Sequence, residues 1–404
     1  MRVLMLVHNR AYVGGGTFYR ALHLGEELVR GGAEVTVVAS RPRINTDDAQ
    51  VAGGVRLRTF SGVLPARWRY GYDFVEAARR TAWVREQPPW DIVHAFDSRP
   101  TVIYPALAAQ ERGAKLILDW SDWFGRGGAV EERKNPLMRA MLRPLETFYE
   151  ERYRLRADGA TVITSALQER LEGMGYPRER VLLLRNGVYP ERFQAPPPAE
   201  ARDALGLSIF LEPPDAPIVG YLGSLFPRDA ALLVDAFVRL RKTLPKAHLA
   251  LIGNPKTPIP RMENLIQVGF VAPEALGDWL SACDVLVLPL RDTVANRGRW
   301  PSKLGDYFAA SRPVVACDVG DVGAVLRETG AGLATHPTEA ALAEGLVALL
   351  QNPALRREMG AAGRRAAEST FHWKHLGEQV AQFYRHILAI SRDSSTDRTT
   401  NAVD

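Results

Sequence analysis

Residues 2–8 read Arg-Val-Leu-Met-Leu-Val-His, an apolar run that is followed by the glycines Gly14, Gly15 and Gly16. Leucines then recur at helical spacing until Gly31 and Gly32, and residues 35–39 form a second run, Val-Thr-Val-Val-Ala. Continuous runs of this kind, rich in β-branched residues, are typical of strands that are buried on both faces of a parallel sheet. The opening of the chain therefore predicts a strand, a glycine turn, a helix and a second strand.

The same alternation of strand and helix patterns continues along the chain. In the first half, further strands are predicted at residues 92–95, 115–118 and 160–164. The pattern breaks around Asn186 and then resumes with apolar runs at residues 218–222, 248–252, 284–288 and 313–316. Amphipathic helices follow at about residues 339–350 and 374–390. This alternation predicts two α/β domains, each with a parallel sheet that carries helices on both faces.

The breaks in the pattern define the domain organisation that we expect. We assign residues 1–190 to an N-terminal Rossmann-like domain and the segment 191–215, rich in proline, alanine and charge, to a linker. Residues 216–370 form a second Rossmann-like domain, and residues 371–390 form a C-terminal helix that packs back on the first domain. The polar residues 391–404 are predicted to be a disordered tail. Ligands of doubly wound domains bind beyond the carboxyl ends of the strands, so we expect both sets of strand ends to face one cleft.

The composition is that of a soluble protein with two domains. The chain has 404 residues, 46% hydrophobic and 24% charged, and no apolar segment approaches the ~20 residues that a membrane helix needs. Residues 1–8 lack a basic leader and a cleavage site, so we expect no signal peptide and a cytoplasmic protein, with the inner membrane face as a candidate peripheral location. The net charge of +5 suits phosphate ligands or an anionic membrane, but it is too small to indicate a nucleic-acid partner.

The two cysteines, Cys283 and Cys317, lie far apart inside apolar runs. They form neither a metal-binding pattern nor a disulfide framework. We therefore expect buried thiols in a reducing compartment.

A candidate ligand site lies in residues 297–310, which read Arg-Gly-Arg-Trp-Pro-Ser-Lys-Leu-Gly-Asp-Tyr-Phe-Ala-Ala. Pro301 is set to start a helix, and Lys303 and Asp306, three positions apart, then share one helical face. A cation near a helix start can neutralise phosphate, and a carboxylate one turn later can accept two ribose hydroxyls. The alternative is a solvated Lys/Asp pair. The surrounding small and apolar residues favour the ligand site.

The glycine run before Thr17 is a second candidate. Glycines let the backbone approach an anion, and a helix N-terminus favours negative charge. The alternative, a tight turn between a strand and a helix, has equal weight.

The chain resembles the retaining glycosyltransferases of family 4, which have the fold called GT-B, over residues 1 to about 390. The resemblance rests on an ordered series of short motifs that starts with the glycine-rich first loop. The series continues through Asp91–His94, Ile163–Ser165, Arg185–Val188, Gly220–Ser224, Leu251–Gly253, Gly269–Val271, Ala282–Pro289, Pro301–Lys303, Gly330–Leu333 and Phe371–Trp373. The Pro-Ser-Lys-Leu sequence at residues 301–304 matches one subgroup of the family.

The resemblance implies transfer of a sugar, with retention of anomeric configuration, from a UDP or GDP sugar to an acceptor hydroxyl. The acceptor would be a glycan, a lipid-linked glycan or a small molecule. No metal ion and no cofactor besides the nucleotide sugar are implied, because lysine, arginine and backbone amides would stabilise the charge on the leaving diphosphate.

The resemblance also carries over residue by residue. Lys303 matches a phosphate-contacting lysine, and Asp306 stands where the family has a ribose-binding glutamate. The other residues implied in donor binding are Gly16, Gly223, Ser224, Arg228, Gly253, Val271, Arg299, Ser302 and Leu304.

Three departures from the family pattern affect the predicted site. Gly298 lacks the carboxylate that the family has eight positions before Asp306, so the sugar contact is missing or comes from Asn296 or Arg299. Ser224 stands where many members have Arg or Lys after the glycine turn. Ser121 replaces a histidine that many members have in the first domain.

The third departure leaves the catalytic group open. Assistance must come from Asp122, Asp119, His94 or the leaving phosphate, and we predict Asp122 and His94, together with Lys303, as catalytic residues. The structural alternatives are a core histidine for His94 and a helix or turn cap for Asp122.

Residues 126–156, with eight basic and five acidic side chains, form a basic amphipathic segment. Such a segment either docks on an anionic membrane that carries a lipid-linked acceptor or is an ordinary exposed helix. The basic-aromatic residues 67–72 are a candidate lining of an acceptor groove.

Two other functions remain as alternatives to the transferase: a degenerate glycosyltransferase-like binding or scaffold subunit, and a nucleotide-sugar 2-epimerase.

Overall fold

The computed structural model describes residues 1–12, 16–41, 49–50, 52–64 and 71–393. The chain divides into two compact units. The first comprises residues 1–185 and the C-terminal segment from Trp373, and the second comprises residues 186–372. Gly14, Gly15, the residues 67–70 of the basic-aromatic patch and the residues 394–404 of the predicted tail lie outside the described residues.

The first unit is built on an eight-stranded sheet. Its strands are β1 (Arg2–Arg10), β2 (Glu34–Arg41), β3 (Ala49–Gln50), β4 (Arg56–Ser61), β5 (Ile92–Phe96), β6 (Lys115–Trp120), β7 (Gly159–Val162) and β8 (Val181–Leu183). Their order is β3-β4-β2-β1-β5-β6-β7-β8, and every pair is parallel except β3 with β4. The connecting helices are α1 (Gly16–Arg30), α2 (Phe74–Glu86), α3 (Pro100–Glu111), α4 (Pro136–Arg152) and α5 (Ser165–Gly173).

Side chains that accept backbone hydrogen bonds set the starts of three of these helices. Asp73 caps α2 by accepting from the amide of Glu76. Asn135 caps α4 and Thr164 caps α5 in the same way. Each side chain satisfies an amide that the first helical turn leaves without an intrahelical partner.

The second unit has a six-stranded, all-parallel sheet. Its strands are β9 (Ile218–Leu222), β10 (His248–Ile252), β11 (Leu265–Gly269), β12 (Val285–Leu288), β13 (Val314–Cys317) and β14 (Gly332–Thr335), in the order β11-β10-β9-β12-β13-β14. Its helices are α6 (Pro198–Ala204), α7 (Pro227–Thr243), α8 (Leu276–Ser281), α9 (Val294–Arg297), α10 (Lys303–Ala309), α11 (Val322–Thr329), α12 (Glu339–Leu350) and α13 (Pro353–Glu368). Both cysteines are buried, Cys283 before β12 and Cys317 at the end of β13.

The segment 191–215, expected to be a linker, is folded into the second unit. It contains α6, where the side chain of Arg202 is 5% exposed. The Arg202 guanidinium donates to the carbonyl oxygen of Ala282 at 2.9 Å and pairs with Asp284 at 2.6 Å. Composition suggested a linker because alanine, proline and charge are typical of exposed chain, whereas the buried ion pair joins the segment to the start of β12.

The C-terminal helix α14 (Trp373–Asp393) belongs to the first unit and packs against α1. The rings of His23 and Trp373 lie 5.4 Å apart at this contact. The helix extends three residues past the predicted end at residue 390, into the segment assigned to the tail. Within the described residues, we find no helix that is both long enough and apolar enough to cross a membrane.

The strand order places a topological switch point in each sheet. In the first unit β1 lies between β2 and β5, and in the second unit β9 lies between β10 and β12. At such a point the connections leave in opposite directions and open a crevice beyond the carboxyl ends of the strands. Ligand sites are therefore expected at the two switch points.

Candidate donor and acceptor sites

Tyr307 on α10 occupies the switch point of the second unit. Strand β12 pairs with β9 at Val219 and Gly220. Beyond that pairing, the hydroxyl of Tyr307 accepts a hydrogen bond from the amide of Leu222 (2.9 Å) and donates to the carbonyl oxygen of Val287 (3.3 Å). The tyrosine is completely buried. Its hydroxyl satisfies one backbone group on each strand and holds α10 at the carboxyl ends of β9 and β12.

Lys303 lies one helical turn before Tyr307 and contacts Tyr221 of β9. Its Nζ donates to the Tyr221 hydroxyl at 2.7 Å and lies 4.0 Å from the centroid of the same ring. The Tyr221 hydroxyl in turn donates to the carbonyl oxygen of Ser224 at 3.0 Å. Burial raises the pKa of Tyr221 above its usual range, so this group remains a neutral hydroxyl. One hydroxyl therefore orients the ammonium group and closes the turn after β9.

Lys303 and Asp306 influence each other electrostatically. Burial lowers the pKa of Lys303 to about 7, against the effects of Asp229 and Asp306, which raise it, and with a further lowering by Arg299. Burial raises the pKa of Asp306 to about 7, against the lowering effect of Lys303. A phosphate anion beside Lys303 would favour the charged ammonium and raise its pKa again.

Two glycines bring the loops after β9 and β10 together. Gly223 and Gly253 both have positive φ, 96° and 114°. A Cβ atom on Gly253 would lie 3.0 Å from the Cα of Gly223, and a Cβ on Gly223 would lie 3.5 Å from Lys303 Nζ. The amide of Gly223 already donates to Ile252, and that of Gly253 to Gly269. These glycines therefore provide space beside the lysine, and their own N–H groups are engaged within the protein.

The other predicted donor-binding residues of this unit lie in different environments. Ser224 and Arg228 are exposed, in the turn after β9 and in the first turn of α7. Val271 is half-buried and follows β11 by two residues. Ser302 is exposed, and its hydroxyl accepts from the Asn186 side chain at 2.8 Å.

Leu304 differs from the expectation, because its side chain lies in the core. It is 0% exposed, and its amide donates to the carbonyl oxygen of Pro301 at 2.9 Å. A leucine that directly follows Lys303 on a helix lies on a different face of that helix from the lysine. Leu304 therefore supports α10 and has neither a side chain nor an N–H free for the ligand.

The segment before α10, which includes the short helix α9, contains the two alternatives for the missing sugar contact. Asn296 is 5% exposed, and its amide donates to the carbonyl oxygen of Arg291 at 2.8 Å. Arg299 is half-buried, donates to the Asn296 side-chain oxygen at 3.4 Å and lies 5.7 Å from the ring centroid of Phe226. Gly298 is buried. The side chain of Asn296 is thus engaged by the backbone of Arg291. Arg299 is therefore the better placed of the two alternatives for the missing sugar contact.

His94 is a core residue in the first unit. It is 0% exposed, and burial lowers its pKa to about 3. Because the Thr161 hydroxyl donates to Asp119 at 2.6 Å, it must accept from His94 Nε2 at 3.0 Å, and Nδ1 then accepts from the Tyr384 hydroxyl at 2.7 Å. Both ring nitrogens are occupied, which matches the structural alternative rather than a catalytic base.

Asp119, in the same region, is held by a buried ion pair. It is 1% exposed and forms an ion pair with the buried Arg20 at 2.9 Å. Arg20 also donates to the carbonyl oxygen of Leu184 at 2.8 Å. Asp119 therefore links strand β6 to α1 and the segment after β8.

Asp122 lies on a loop that is held in place by hydrogen bonds to one glutamate. The side chain of Glu150 on α4 accepts from the amides of Phe124 (2.7 Å) and Gly125 (2.9 Å) and from the indole of Trp120 (3.1 Å). Asp122 itself is half-buried at the carboxyl end of β6 and lines a small pocket with Asp97, Arg99 and Tyr72, among others. Asp119 lines the same pocket but is buried, so Asp122 is the one predicted side-chain base that is partly accessible.

A charged network that the sequence analysis missed lies at the switch point of the first unit. Asp97 follows β5 with φ of 145°, a value that side chains rarely adopt, and pairs with His8 of β1 and with Arg99, both at 2.9 Å. Burial would raise the pKa of Asp97, but Arg99 and His8 hold that pKa well below its usual range. Arg99 also pairs with Glu146 of α4 at 3.0 Å. Charged residues directly after a buried strand were the only feature of the sequence that could have indicated this network.

Gly16, which was also predicted to bind the donor, begins α1 and is exposed.

Among the residues that the structure describes, no group of three or more His, Cys, Asp or Glu side chains is arranged to hold a metal ion.

Comparison with solved structures identifies the class of the fold. Sucrose-phosphate synthase from Thermosynechococcus elongatus superposes with a TM-score of 0.76 at 18% identity, covering 96% of this chain and 99% of that one. Anabaena HepE in complex with UDP and glucose gives a TM-score of 0.68 at 15% identity, covering 96% of this chain and all of that one. At these identities the likeness concerns the fold, and it confirms the predicted GT-B architecture of two Rossmann-like domains.

Family models identify the chain more closely. Residues 15–187 match the glycosyl transferase 4-like domain, and residues 216–352 match the glycosyl transferases group 1 domain. The chain belongs to glycosyltransferase family 4, as its motifs predicted. The alpha-maltose-1-phosphate synthase of Mycolicibacterium smegmatis is 29% identical over 269 residues. That match covers 58% of this chain and 64% of the relative, which is less than two thirds of the relative's length.

Proposed function

We propose that the chain transfers a sugar from a UDP or GDP sugar to an acceptor hydroxyl, with retention of anomeric configuration and without a metal ion. The observation that carries this proposal is the position of Lys303. Its ammonium group lies at the carboxyl end of β9, beside the side-chain-free Gly223, with Asp306 one turn later on the same helix.

The chemistry of these groups fits a nucleoside diphosphate. Lys303 provides a positive charge for the leaving phosphate, and the effect of Arg299 on the pKa of Lys303 indicates a second cation nearby. Preorganised cations can stabilise the charge that develops on the diphosphate as the glycosidic bond breaks. Asp306, once ionised, can accept hydrogen bonds from two ribose hydroxyls.

In the proposed reaction, the bond between the anomeric carbon and the diphosphate oxygen breaks, and its electron pair stays on that oxygen. The acceptor oxygen then bonds to the anomeric carbon, and its proton passes to the Asp122 carboxylate. Asp122 is the preferred base because His94 and Asp119 are engaged in the core. The acceptor is a glycan, a lipid-linked glycan or a small molecule that binds in the first unit.

A donor screen with the purified full-length chain tests this proposal. UDP and GDP sugars are incubated with candidate acceptors in the presence of EDTA, and released UDP or GDP is measured. The anomeric configuration of the product is read by NMR. We expect nucleotide release with transfer and an axial product from an axial donor. Tight nucleotide binding without turnover would support the degenerate subunit instead, and an inverted product or loss of activity with EDTA would overturn the mechanism.

The role of Asp122 is tested with Asp122→Asn. We expect kcat to fall about 10²- to 10⁴-fold, which is the usual contribution of a general base. The exposed Asp235 of α7 provides the matched control, Asp235→Asn, which leaves kcat unchanged. An unchanged kcat in Asp122→Asn would assign the proton to the leaving phosphate.

A further inference from the structure

Helix α4 presents an apolar face to solvent. Leu137, Met141, Leu145 and Phe148 recur at intervals of four, four and three residues, and their exposed fractions are 77%, 58%, 36% and 49%. This spacing places them on one face of a helix with 3.6 residues per turn. Leu155, in the turn after the helix, is 56% exposed. Single exposed apolar residues are ordinary on a protein surface, but a contiguous row of five large ones marks an interaction site.

The opposite face of α4 attaches the helix to the first unit. Glu146, Tyr149 and Glu150 are buried. The Tyr149 hydroxyl lies 2.8 Å from that of Tyr104 on α3, and Glu150 accepts from the loop amides described above. The orientation of the helix is therefore set by polar contacts on its inner side, and these contacts keep the apolar row facing outward.

Basic side chains surround the apolar row. Arg126, Lys134, Arg143, Arg152 and Arg156 are exposed. The carboxylates of Glu146 and Glu150 on the same helix are buried. Glu132 is also exposed, the side chain of Glu151 is 41% exposed, and Arg143 pairs with Glu131 at 2.7 Å. Basic side chains still outnumber these carboxylates, so the exposed charge around the row is mainly positive.

A shallow open cavity lies along this face. Its volume is about 930 Å³, and its lining includes Phe148, Leu155, Arg126, Arg143 and Arg152. The lining also includes the carboxylate of Glu151. The cavity thus combines apolar walls with three guanidinium groups and one carboxylate, and this net positive charge suits an anionic headgroup joined to an apolar chain.

We propose that the apolar row Leu137, Met141, Leu145, Phe148 and Leu155, with its basic rim, docks the protein on an anionic membrane surface. The apolar side chains enter the boundary between headgroups and acyl chains, and the rim binds lipid phosphates. Charge complementarity favours a membrane over a second copy of the chain, because two such faces would bring like charges together.

Vesicle sedimentation with the full-length chain tests the proposal. The protein is mixed with vesicles of phosphatidylcholine alone or of phosphatidylcholine with about one third phosphatidylglycerol, at low and at high salt. We expect binding to the anionic vesicles, weaker binding at high salt because the rim charges are screened, and little binding to phosphatidylcholine. Equal binding to both vesicles, or binding to neither, would overturn the proposal.

Two variants test the apolar row and the rim separately. The double variant Met141→Glu with Phe148→Glu should abolish binding, whereas Phe210→Glu, at an 81% exposed phenylalanine of the second unit, should not. The double variant Arg152→Gln with Arg156→Gln should weaken partitioning about 30-fold, since each basic residue near an anionic surface contributes several-fold. Its control is Arg357→Gln with Arg365→Gln, two exposed arginines of α13.

Circular dichroism checks that each variant is folded, and light scattering measures its mass. Membrane binding that survives the Met141/Phe148 change would overturn the proposal. So would a dimer of the unmodified chain that the same change dissociates, because the face would then be a contact between copies.

Discussion

The Nζ atom of Lys303 lies 2.7 Å from the hydroxyl oxygen of Tyr221, a residue 82 positions earlier in the chain. The same hydroxyl donates to the carbonyl oxygen of Ser224, so a single oxygen joins the lysine of α10 to the turn after β9. In the proposed donor site, Tyr221 is a positioning residue, because it acts on the diphosphate only through Lys303 and the turn.

Replacing Tyr221 with phenylalanine should keep the ring beside the ammonium but remove the hydrogen bond. We expect kcat/KM for the donor to fall about tenfold, since a hydrogen bond to a charged group contributes roughly 1.5 kcal/mol or more. The variant should also shift the alkaline limb of the pH profile, which a purely structural role would not do. Steady-state kinetics from pH 6 to 9 measure both effects.

The control for this change is Tyr176→Phe in the first unit. Tyr176 is 4% exposed, and its hydroxyl donates to the carbonyl oxygen of Ala157 at 3.1 Å. Both variants should lose some free energy of unfolding, but only Tyr221→Phe should change the kinetics. Equal kinetics in the two variants would contradict the positioning role.

Removing the ammonium group itself should have a larger effect. We expect Lys303→Ala to lower kcat about 10²- to 10³-fold, because the charge on the leaving phosphate then lacks its principal partner. Lys242→Ala, at an exposed lysine of α7, should behave like the unmodified enzyme. If Lys303→Ala turns over at the normal rate, the lysine has no part in the departure of the diphosphate.

The affinity for UDP or GDP should decrease as the pH rises from 7 to 9. The pKa of Lys303 is lowered to about 7 by burial, so the free protein loses the ammonium charge across this range. Asp306, whose pKa is raised to about 7, gains charge over the lower part of the same range. Because it is already about half ionised at pH 7, this gain can offset the loss of the ammonium charge by at most about twofold. Each pH unit should cost at most a factor of ten in the dissociation constant.

Isothermal titration calorimetry in buffers of different ionisation enthalpy measures this dependence directly. Binding above pH 7 should take up a proton, because the diphosphate stabilises the charged lysine. Lys303→Arg should remove both the proton uptake and the pH dependence. An affinity that stays constant from pH 7 to 9 in the unmodified protein would exclude a lysine that titrates in this range.

Asp306→Asn should weaken donor binding more than it slows the chemical step. An amide oxygen accepts hydrogen bonds from the ribose hydroxyls less strongly than a carboxylate, because charge-assisted hydrogen bonds are about twice as strong as neutral ones. We expect the dissociation constant of the nucleotide to rise about tenfold. A 2′,3′-dideoxy nucleotide should bind the unmodified protein and the variant equally, and Asp235→Asn should change neither value. Should the variant discriminate against the dideoxy nucleotide as strongly as the unmodified protein does, the ribose contact lies elsewhere.

Local sequence patterns were sufficient for the main elements of the fold. The apolar runs at residues 218–222 and 248–252 predicted β9 and β10 with their observed bounds. The helical spacing of apolar residues over 339–350 likewise predicted α12 with its observed bounds. The period of the apolar residues and the punctuating glycines act over a few positions, so such elements can be read from neighbouring residues alone.

The candidate site could be predicted only in part. The three-residue spacing of Lys303 and Asp306 is local, and it marked the helix of the proposed donor site. Tyr221 and Tyr307 were missed, because a tyrosine in an apolar run reads as an ordinary core residue. Only the packing of α10 against the carboxyl ends of β9 and β12 reveals that both hydroxyls are used.

The roles of His94 and Leu304 were also decided by tertiary structure. By itself, the sequence determined two doubly wound α/β domains, the family, and a lysine and a carboxylate on one helix. It did not determine that His94 is enclosed by Tyr384, 290 residues later, or that the 191–215 segment is anchored by Arg202. The physical reason is that burial and hydrogen-bond partners depend on which elements pack together. These contacts join residues that are far apart in the sequence, and local hydrophobic periodicity does not predict which distant residues meet.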